Sequence, residues 1–190
     1  MNLVLTICIG ERFQSIAAVT HQSISSYARK IEADFMVVTE QKHSTPHWEK
    51  FRIFELLNKY ERILYIDTDV LIKHDCPDLF KIVPKDLIGA FNEGQYFDRK
   101  YPDYYNAGVM VIPRCRQDIF IEPEIEQGNI DTFFEQDFIN ERIHSSGHTI
   151  YNLSHKFNRM DFILAPGYII HKAGNLNALA ELKELAGVLA

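Results

Sequence analysis

Ile63-Leu64-Tyr65-Ile66-Asp67-Thr68-Asp69-Val70-Leu71 is a continuous apolar run that delivers two carboxylates one residue apart. An apolar run without alternation is the signature of a strand buried on both faces, and such strands belong to parallel sheets covered by helices. Charges cannot stay unpaired in that interior, so the chain must emerge from the sheet at Asp67 and Asp69. In open α/β sheets ligands collect beyond the carboxyl ends of the strands, which is where this pair falls.

Toward the amino terminus, residues 3–9 read as another buried strand, 13–31 as a helix and 35–39 as a second strand, a succession that implies parallel pairing. Residues 48–58 place Trp48, Phe51, Phe54 and Leu57 on one face of a predicted helix just ahead of the acidic strand. Toward the carboxyl terminus, 87–91 and 109–112 read as strands, separated by a polar and aromatic loop over 92–105. A loop that long is more often functional than idle. A helix over 131–145, a short strand over 168–171 and an Ala/Leu/Glu-rich helix over 176–189 complete the chain. No internal repeat, low-complexity tract or linker interrupts this order. The expected fold is therefore α/β, a mixed and mostly parallel sheet flanked by helices, in a single domain spanning 1–190.

Composition narrows the class of partner. With 46% hydrophobic and 24% charged residues, the 190-residue chain is neither disordered nor disulfide-dense, and its length suits one core. A formal charge of −6 argues against nucleic acid or an anionic membrane surface as partner. An anionic ligand must then be held locally, by a metal or a few placed cations. Cys8, Cys76 and Cys115 are odd in number and widely spaced, which argues against a disulfide framework or a zinc site and for a reducing, cytoplasmic setting. The amino-terminal MNLVLTICIG lacks a basic leader and a cleavage site, so it reads as a strand rather than a signal peptide. No apolar run approaches the roughly 20 residues that a transmembrane helix needs.

Two hard oxygen ligands as close as Asp67 and Asp69 suit magnesium or manganese bridging to a diphosphate; the plainer alternative is a strand ending in polar turn residues. Two chemistries share the pattern. In haloacid-dehalogenase-like phosphatases the first Asp is a nucleophile and the second an acid/base. In metal-dependent sugar transferases the pair binds a cation that offsets the diphosphate charge of a nucleotide sugar. Three further segments place chemistry at element ends. Asn106-Ala107-Gly108 precedes an apolar strand, where an amide can meet hydroxyls and small residues admit a ligand. Glu135-Gln136-Asp137 sets polar groups in an apolar helix. His171-Lys172-Ala173-Gly174 ends a strand with a cation beside a glycine.

Taken in this order and spacing, Leu5-Thr6-Ile7-Cys8-Ile9-Gly10, Trp48-Glu49-Lys50-Phe51, Asp67-Thr68-Asp69, Asn106-Ala107-Gly108, Glu135-Gln136-Asp137 and His171-Lys172-Ala173-Gly174 resemble the GT-A glycosyltransferases, most closely glycosyltransferase family 8, the group of glycogenin and the bacterial lipopolysaccharide galactosyltransferases. The resemblance spans nearly the whole chain. It implies a GT-A-type nucleotide-binding fold and a metal-dependent transfer, with retention of configuration, of a hexose from a nucleotide-diphosphate sugar such as a UDP-sugar to a glycan or other hydroxyl acceptor. A non-catalytic nucleotide-sugar binding domain is the rival reading.

By the same resemblance Asp67, Asp69 and His171 hold manganese or magnesium, and Thr6, Ile7, Phe13, Lys50 and Thr68 lie along the nucleotide. Glu93, Asn106, Ala107 and Gly108 surround the donor sugar, Lys172 and Gly174 sit by the phosphates, and Gln136 lies beneath the anomeric carbon beside Glu135. Glu135 stands where the family usually has Asp. The chain is also shorter than most relatives, and Asn175-Leu176-Asn177 replaces the Lys-Pro-Trp that often follows the His-x-x-Gly segment. The last helix has few basic residues, so it is expected to pack on the domain or on a second subunit rather than on a membrane.

Overall fold

β1 (Asn2–Ile7) and β3 (Arg62–Ile66) run parallel at the centre of the sheet, Leu3 beside Ile63 and Leu5 beside Tyr65. The computed structural model describes residues 1–43, 45–97, 101–123 and 135–189. β2 (Asp34–Val38) lies parallel on the outer side of β1, and α1 (Glu11–Lys30) is the crossover between them. Gly10, at φ 89°, turns the chain from β1 into that helix in a conformation most side chains resist.

Beyond β3 come β6 (Tyr105–Pro113), β5 (Ile88–Asn92) and β7 (Ile150–Asn152), giving the order β2-β1-β3-β6-β5-β7. Only β6 opposes the common strand direction among these six, so the expected mixed, mostly parallel α/β sheet is what forms. A second, two-stranded antiparallel sheet joins β4 (Val70–Ile72) to β8 (Ile169–His171) and sets Val70 opposite His171.

Alternation along each strand divides the core. Leu3, Leu5, Ile63 and Tyr65 face one side, against Ile53 of α2 (Ile53–Leu56) and Ile139 of α4 (Glu135–Ser146). Val4, Leu64 and Ile66 face the other, against Ile24 and Tyr27 of α1 and the small sheet. α5 (Ala178–Leu189) lays Ala178 and Leu182 on Ile16 of α1 and Leu71, so the last helix packs within the chain.

Several elements differ from the sequence reading. The helix expected over 48–58 is a 3-10 stretch, Pro46–Arg52, followed by the single turn of α2. Its apolar residues recur at a strict interval of three, the 3-10 repeat, and this tighter winding buries Glu49 and Lys50. β4, β7 and the short α3 (Leu79–Ile82), capped by Asp78, are too brief to show a period. β6 begins earlier than expected because it bulges: Ala90 pairs with Met110 but Phe91 with Asn106. Residues 131–134 of the expected helix over 131–145 lie outside the described residues; the remainder is α4.

Candidate active site

The bulge in β6 builds the floor of a cleft of about 620 Å³ beyond the carboxyl ends of β1 and β3. Asp67 leaves β3 with its N–H donated to the Gly108 carbonyl at 2.8 Å. Thr68 turns the chain and is pinned there: its hydroxyl donates to the Ile7 carbonyl at 2.5 Å, and its own carbonyl accepts from the Thr20 hydroxyl at 2.7 Å. The chain then enters β4, whose pairing with β8 brings His171 back to the two aspartates.

His171 Nε2 lies 3.6 Å from Asp67 Oδ2 and 3.4 Å from Asp69 Oδ1, and one ligand atom from each residue falls within 4.8 Å of the others. Two carboxylates and an imidazole suit a divalent cation of the magnesium or manganese kind. Two observations fit the group to one. His171 Nε2 is buried with no hydrogen-bond partner among the described residues, and a Cβ on Gly108 would meet His171 Cε1 at 2.3 Å and Asp67 Oδ2 at 2.6 Å, so only glycine admits the trio. Burial alone would lower the His171 pKa, but Asp69 and Asp67 outweigh it and raise it. Burial would raise that of Asp67, but Lys50 and His171 reverse the shift and hold it low.

Lys50 is buried, its ammonium 2.6 Å from Glu135 Oε1, 3.4 Å from Asp67 Oδ1 and 4.9 Å from the Tyr65 ring centre. Tyr65 donates its phenol to Asp67 Oδ1 at 2.6 Å. One oxygen of Asp67 is thus engaged by Lys50 and Tyr65, while the other faces His171. Burial works against the Lys50 charge, but the two carboxylates prevail and raise its pKa.

On the other wall, α4 is fixed by Asn140, whose side chain accepts from the Tyr105 N–H at 2.6 Å and donates to the Tyr105 carbonyl at 2.8 Å. Gln136 at the start of α4 accepts the Ala107 N–H at 2.8 Å and donates to Glu93 at 3.0 Å. Glu93 also accepts from Asn106 at 2.9 Å.

Of the residues expected at the site, Ile7, Phe13, Lys50, Asp67, Thr68, Asp69, Glu93, Asn106, Glu135, Gln136, His171 and Gly174 line the cleft. The other four, Thr6, Ala107, Gly108 and Lys172, are not among the residues lining the cleft. Thr6 is fully buried with its hydroxyl 3.3 Å from that of Thr68, so it braces the Thr68 turn instead of touching a base. Ala107 is fully buried in the bulge, and Gly108 makes room for His171 and Asp67 rather than for a sugar. Lys172 points its ammonium at Asp161 and Glu181, 2.5 Å from each, and so braces α5 against the 161 segment instead of binding phosphate.

Sequence reasoning missed Tyr65, Asn158, Asp161, Phe97 and Phe162. Tyr65 carried a signal, a phenol in an otherwise aliphatic strand; residues 158–162 follow no period and carried none.

A mixed, mostly parallel sheet of this order, flanked by helices, is the architecture of the GT-A glycosyltransferases. The chain belongs to glycosyl transferase family 8, whose sequence profile matches residues 6–117, more than half of its length. It is a glycosyltransferase.

Solved structures share the architecture. A glycosyltransferase involved in glycosylation of the major capsid of PBCV-1 aligns over 98% of each chain at 16% identity with a TM-score of 0.69. The galactosyltransferase LgtC, solved with donor and acceptor sugar analogues, aligns over 100% of this chain and 96% of its own at 15% identity and 0.59. GlyE of Streptococcus pneumoniae TIGR4 aligns over 97% of this chain and 59% of its own at 16% and 0.63. At these identities the likeness is one of fold. No curated protein sequence matches the chain. Among the described residues no helix is long and apolar enough to cross a membrane.

Proposed function

We propose that this glycosyltransferase, a single domain over 1–190, moves a hexose from a UDP-sugar to a hydroxyl of a glycan acceptor, with retention of configuration and with manganese or magnesium held by Asp67, Asp69 and His171. The observation that carries this reading is the carboxylate–histidine trio on the cleft floor, with the buried Nε2 of His171 turned to both carboxylates and making no hydrogen bond among the described residues. When bound, the cation offsets the charge of the donor diphosphate and of the departing nucleotide.

The chain's own residues supply the rest. Ile7 and Phe13 give the nucleotide an apolar flank, and Gly174, at φ 67°, brings backbone close to the phosphate end of the cleft. Glu93 and Asn106 line the space for donor-sugar hydroxyls. Gln136 is a poor nucleophile, and Glu135 is committed to Lys50, which favours attack from the face the nucleotide leaves over a covalent glycosyl-enzyme. Gln136, clamped at both ends of its amide, is suited to orienting reactants and stabilising a positive anomeric carbon. The free thiols Cys8, Cys76 and Cys115 support a reducing, cytoplasmic setting.

Aromatic rings at the rim favour a sugar acceptor. Phe97 and Phe162 line the cleft with ring centres 4.9 Å apart, both part-exposed, and Tyr96 lies 5.0 Å from Phe162. Such faces suit the C–H side of a pyranose. Replacing Phe162 by alanine is expected to raise the acceptor KM by about 3- to 10-fold, the worth of one aromatic contact, with donor affinity unchanged. Initial-rate kinetics at saturating donor checks this.

Calorimetric titration with UDP, UDP-galactose, UDP-glucose and their adenosine and guanosine counterparts, each with manganese and with chelator, tests the donor reading. Uridine-selective heat that vanishes with chelator supports it. Equal binding in chelator overturns the role given to the trio.

A further inference from the structure

The two ends of the cleft are joined by an unbroken run of side-chain hydrogen bonds, buried except at Gln136, whose direction is dictated by backbone. A backbone N–H can only donate, so the atom of Asn106 that receives the Gly108 N–H at 2.9 Å must be its oxygen. The Asn106 NH₂ therefore faces Glu93, 2.9 Å away, and a carboxylate can only accept, which agrees from the opposite direction. The same Asn106 oxygen receives the Asn158 NH₂ at 2.8 Å, and this turns the Asn158 oxygen toward His171 Nδ1, also at 2.8 Å. Nδ1 must then carry a hydrogen, leaving the lone pair of a neutral imidazole on Nε2, the atom that faces Asp67 and Asp69. On the other arm the Ala107 N–H fixes the Gln136 oxygen, so the Gln136 NH₂ meets the second oxygen of Glu93.

Asn158, Asn106 and Glu93 are all buried, and water has little access to restore a lost partner. Backbone fixes Asn158 relative to its target as well, because the His171 N–H donates to the Arg159 carbonyl at 2.9 Å.

We propose that Asn158 is a positioning residue that reserves Nε2 of His171 for the cation, its own amide orientation being imposed through Asn106 by the N–H of Gly108. The same Glu93-centred run, anchored on the neighbouring N–H of Ala107, sets which end of Gln136 faces the cleft wall. The assignment at His171 rests on the metal reading above, whereas the hydrogen-bond direction does not. Removing an outer partner of a ligating histidine weakens metal affinity by about 10- to 100-fold.

The test separates the two. In metal-free, full-length protein labelled with ¹⁵N-histidine, long-range proton–nitrogen correlation in alkaline buffer reads the His171 tautomer, assigned by the signal lost in His171→Gln. Titration of Mn²⁺ alone, followed by the resonance of the free ion, reads affinity. The expected result is Nδ1–H in the native chain, and loss of that preference with about 10- to 100-fold weaker Mn²⁺ binding in Asn158→Leu. Nε2–H in the native chain overturns the proposal whatever the metal affinity, and does so even if Asn158→Leu fails to fold. Native tautomer and native affinity in a folded Asn158→Leu overturn it too. Nδ1–H without any Mn²⁺ binding supports the hydrogen-bond run while removing the metal reading.

Discussion

Replacing Asp69 by alanine is expected to lower sugar transfer on the order of 10³-fold, the scale seen when a charge-stabilising group is removed from a reacting centre, while the thermal midpoint changes little. Asp69 contributes to the fold mainly through its backbone, whose carbonyl accepts the Lys172 N–H at 3.1 Å. Its carboxylate is turned to His171 Nε2 and to the cleft. The substitution therefore removes a hard oxygen ligand and leaves the turn at Thr68 and the β4–β8 ladder in place. Asp67 is the less clean choice, because its carboxylate also answers Lys50 and Tyr65. Transfer assays with saturating Mn²⁺, read beside a melting curve, check both parts. Native turnover by a folded Asp69→Ala protein would remove the cation from the mechanism.

That contrast shows which parts of the site the sequence could disclose. β3 and the carboxylates after it were legible because burial on both faces demands an unbroken apolar run, and a charge pair ends such a run visibly. The meeting of Asp69 with His171 was not legible from pattern. It depends on β4 and β8, two strands of three residues each, paired across about a hundred positions of chain. Only resemblance pointed to His171.

Lys172 shows the opposite case, a residue whose surroundings the pattern did not disclose. A cation beside a glycine at a strand end suggests a phosphate contact, but Asp161 and Glu181 reach its ammonium from loop and helix, and no spacing rule links those three positions. The helix expected over 48–58 differs for a simpler reason: apolar residues at intervals of three satisfy helical periodicity loosely and the 3-10 repeat closely. The difference matters, because this winding is what buries Lys50.

Replacing Lys50 by methionine is accordingly expected to destabilise the metal-free protein by about 3–5 kcal/mol, the range for removing one partner of a buried ion pair. The methionine fills much of the same volume, so the cost is chiefly electrostatic. Glu135 and Asp67 lose the cation between them, and Glu135 is buried where water reaches it little. The pH dependence follows from the sign of each shift. Lys50 has a raised pKa, so its contribution is present throughout the range below about 10.4, the unfolded lysine value, and is lost only as pH rises through the higher folded value. Asp67 has a lowered pKa, so its contribution is present above about 3.9, the unfolded value, and is lost as pH falls through the lower folded value. The gap between native and variant should then shrink in acid, where the stranded carboxylates of the variant take up protons and His171, freed of the opposing Lys50 charge, holds its own proton more tightly. Adding Glu135→Leu to Lys50→Met should recover part of the stability, since the second change removes one of the two stranded charges, but it should not recover transfer. Urea unfolding of the native chain and both variants at a series of pH values measures the gap directly. A gap that stays level into acid would mean that Lys50 acts through packing, and Tyr65, whose ring lies beneath the ammonium, would be the residue to examine next.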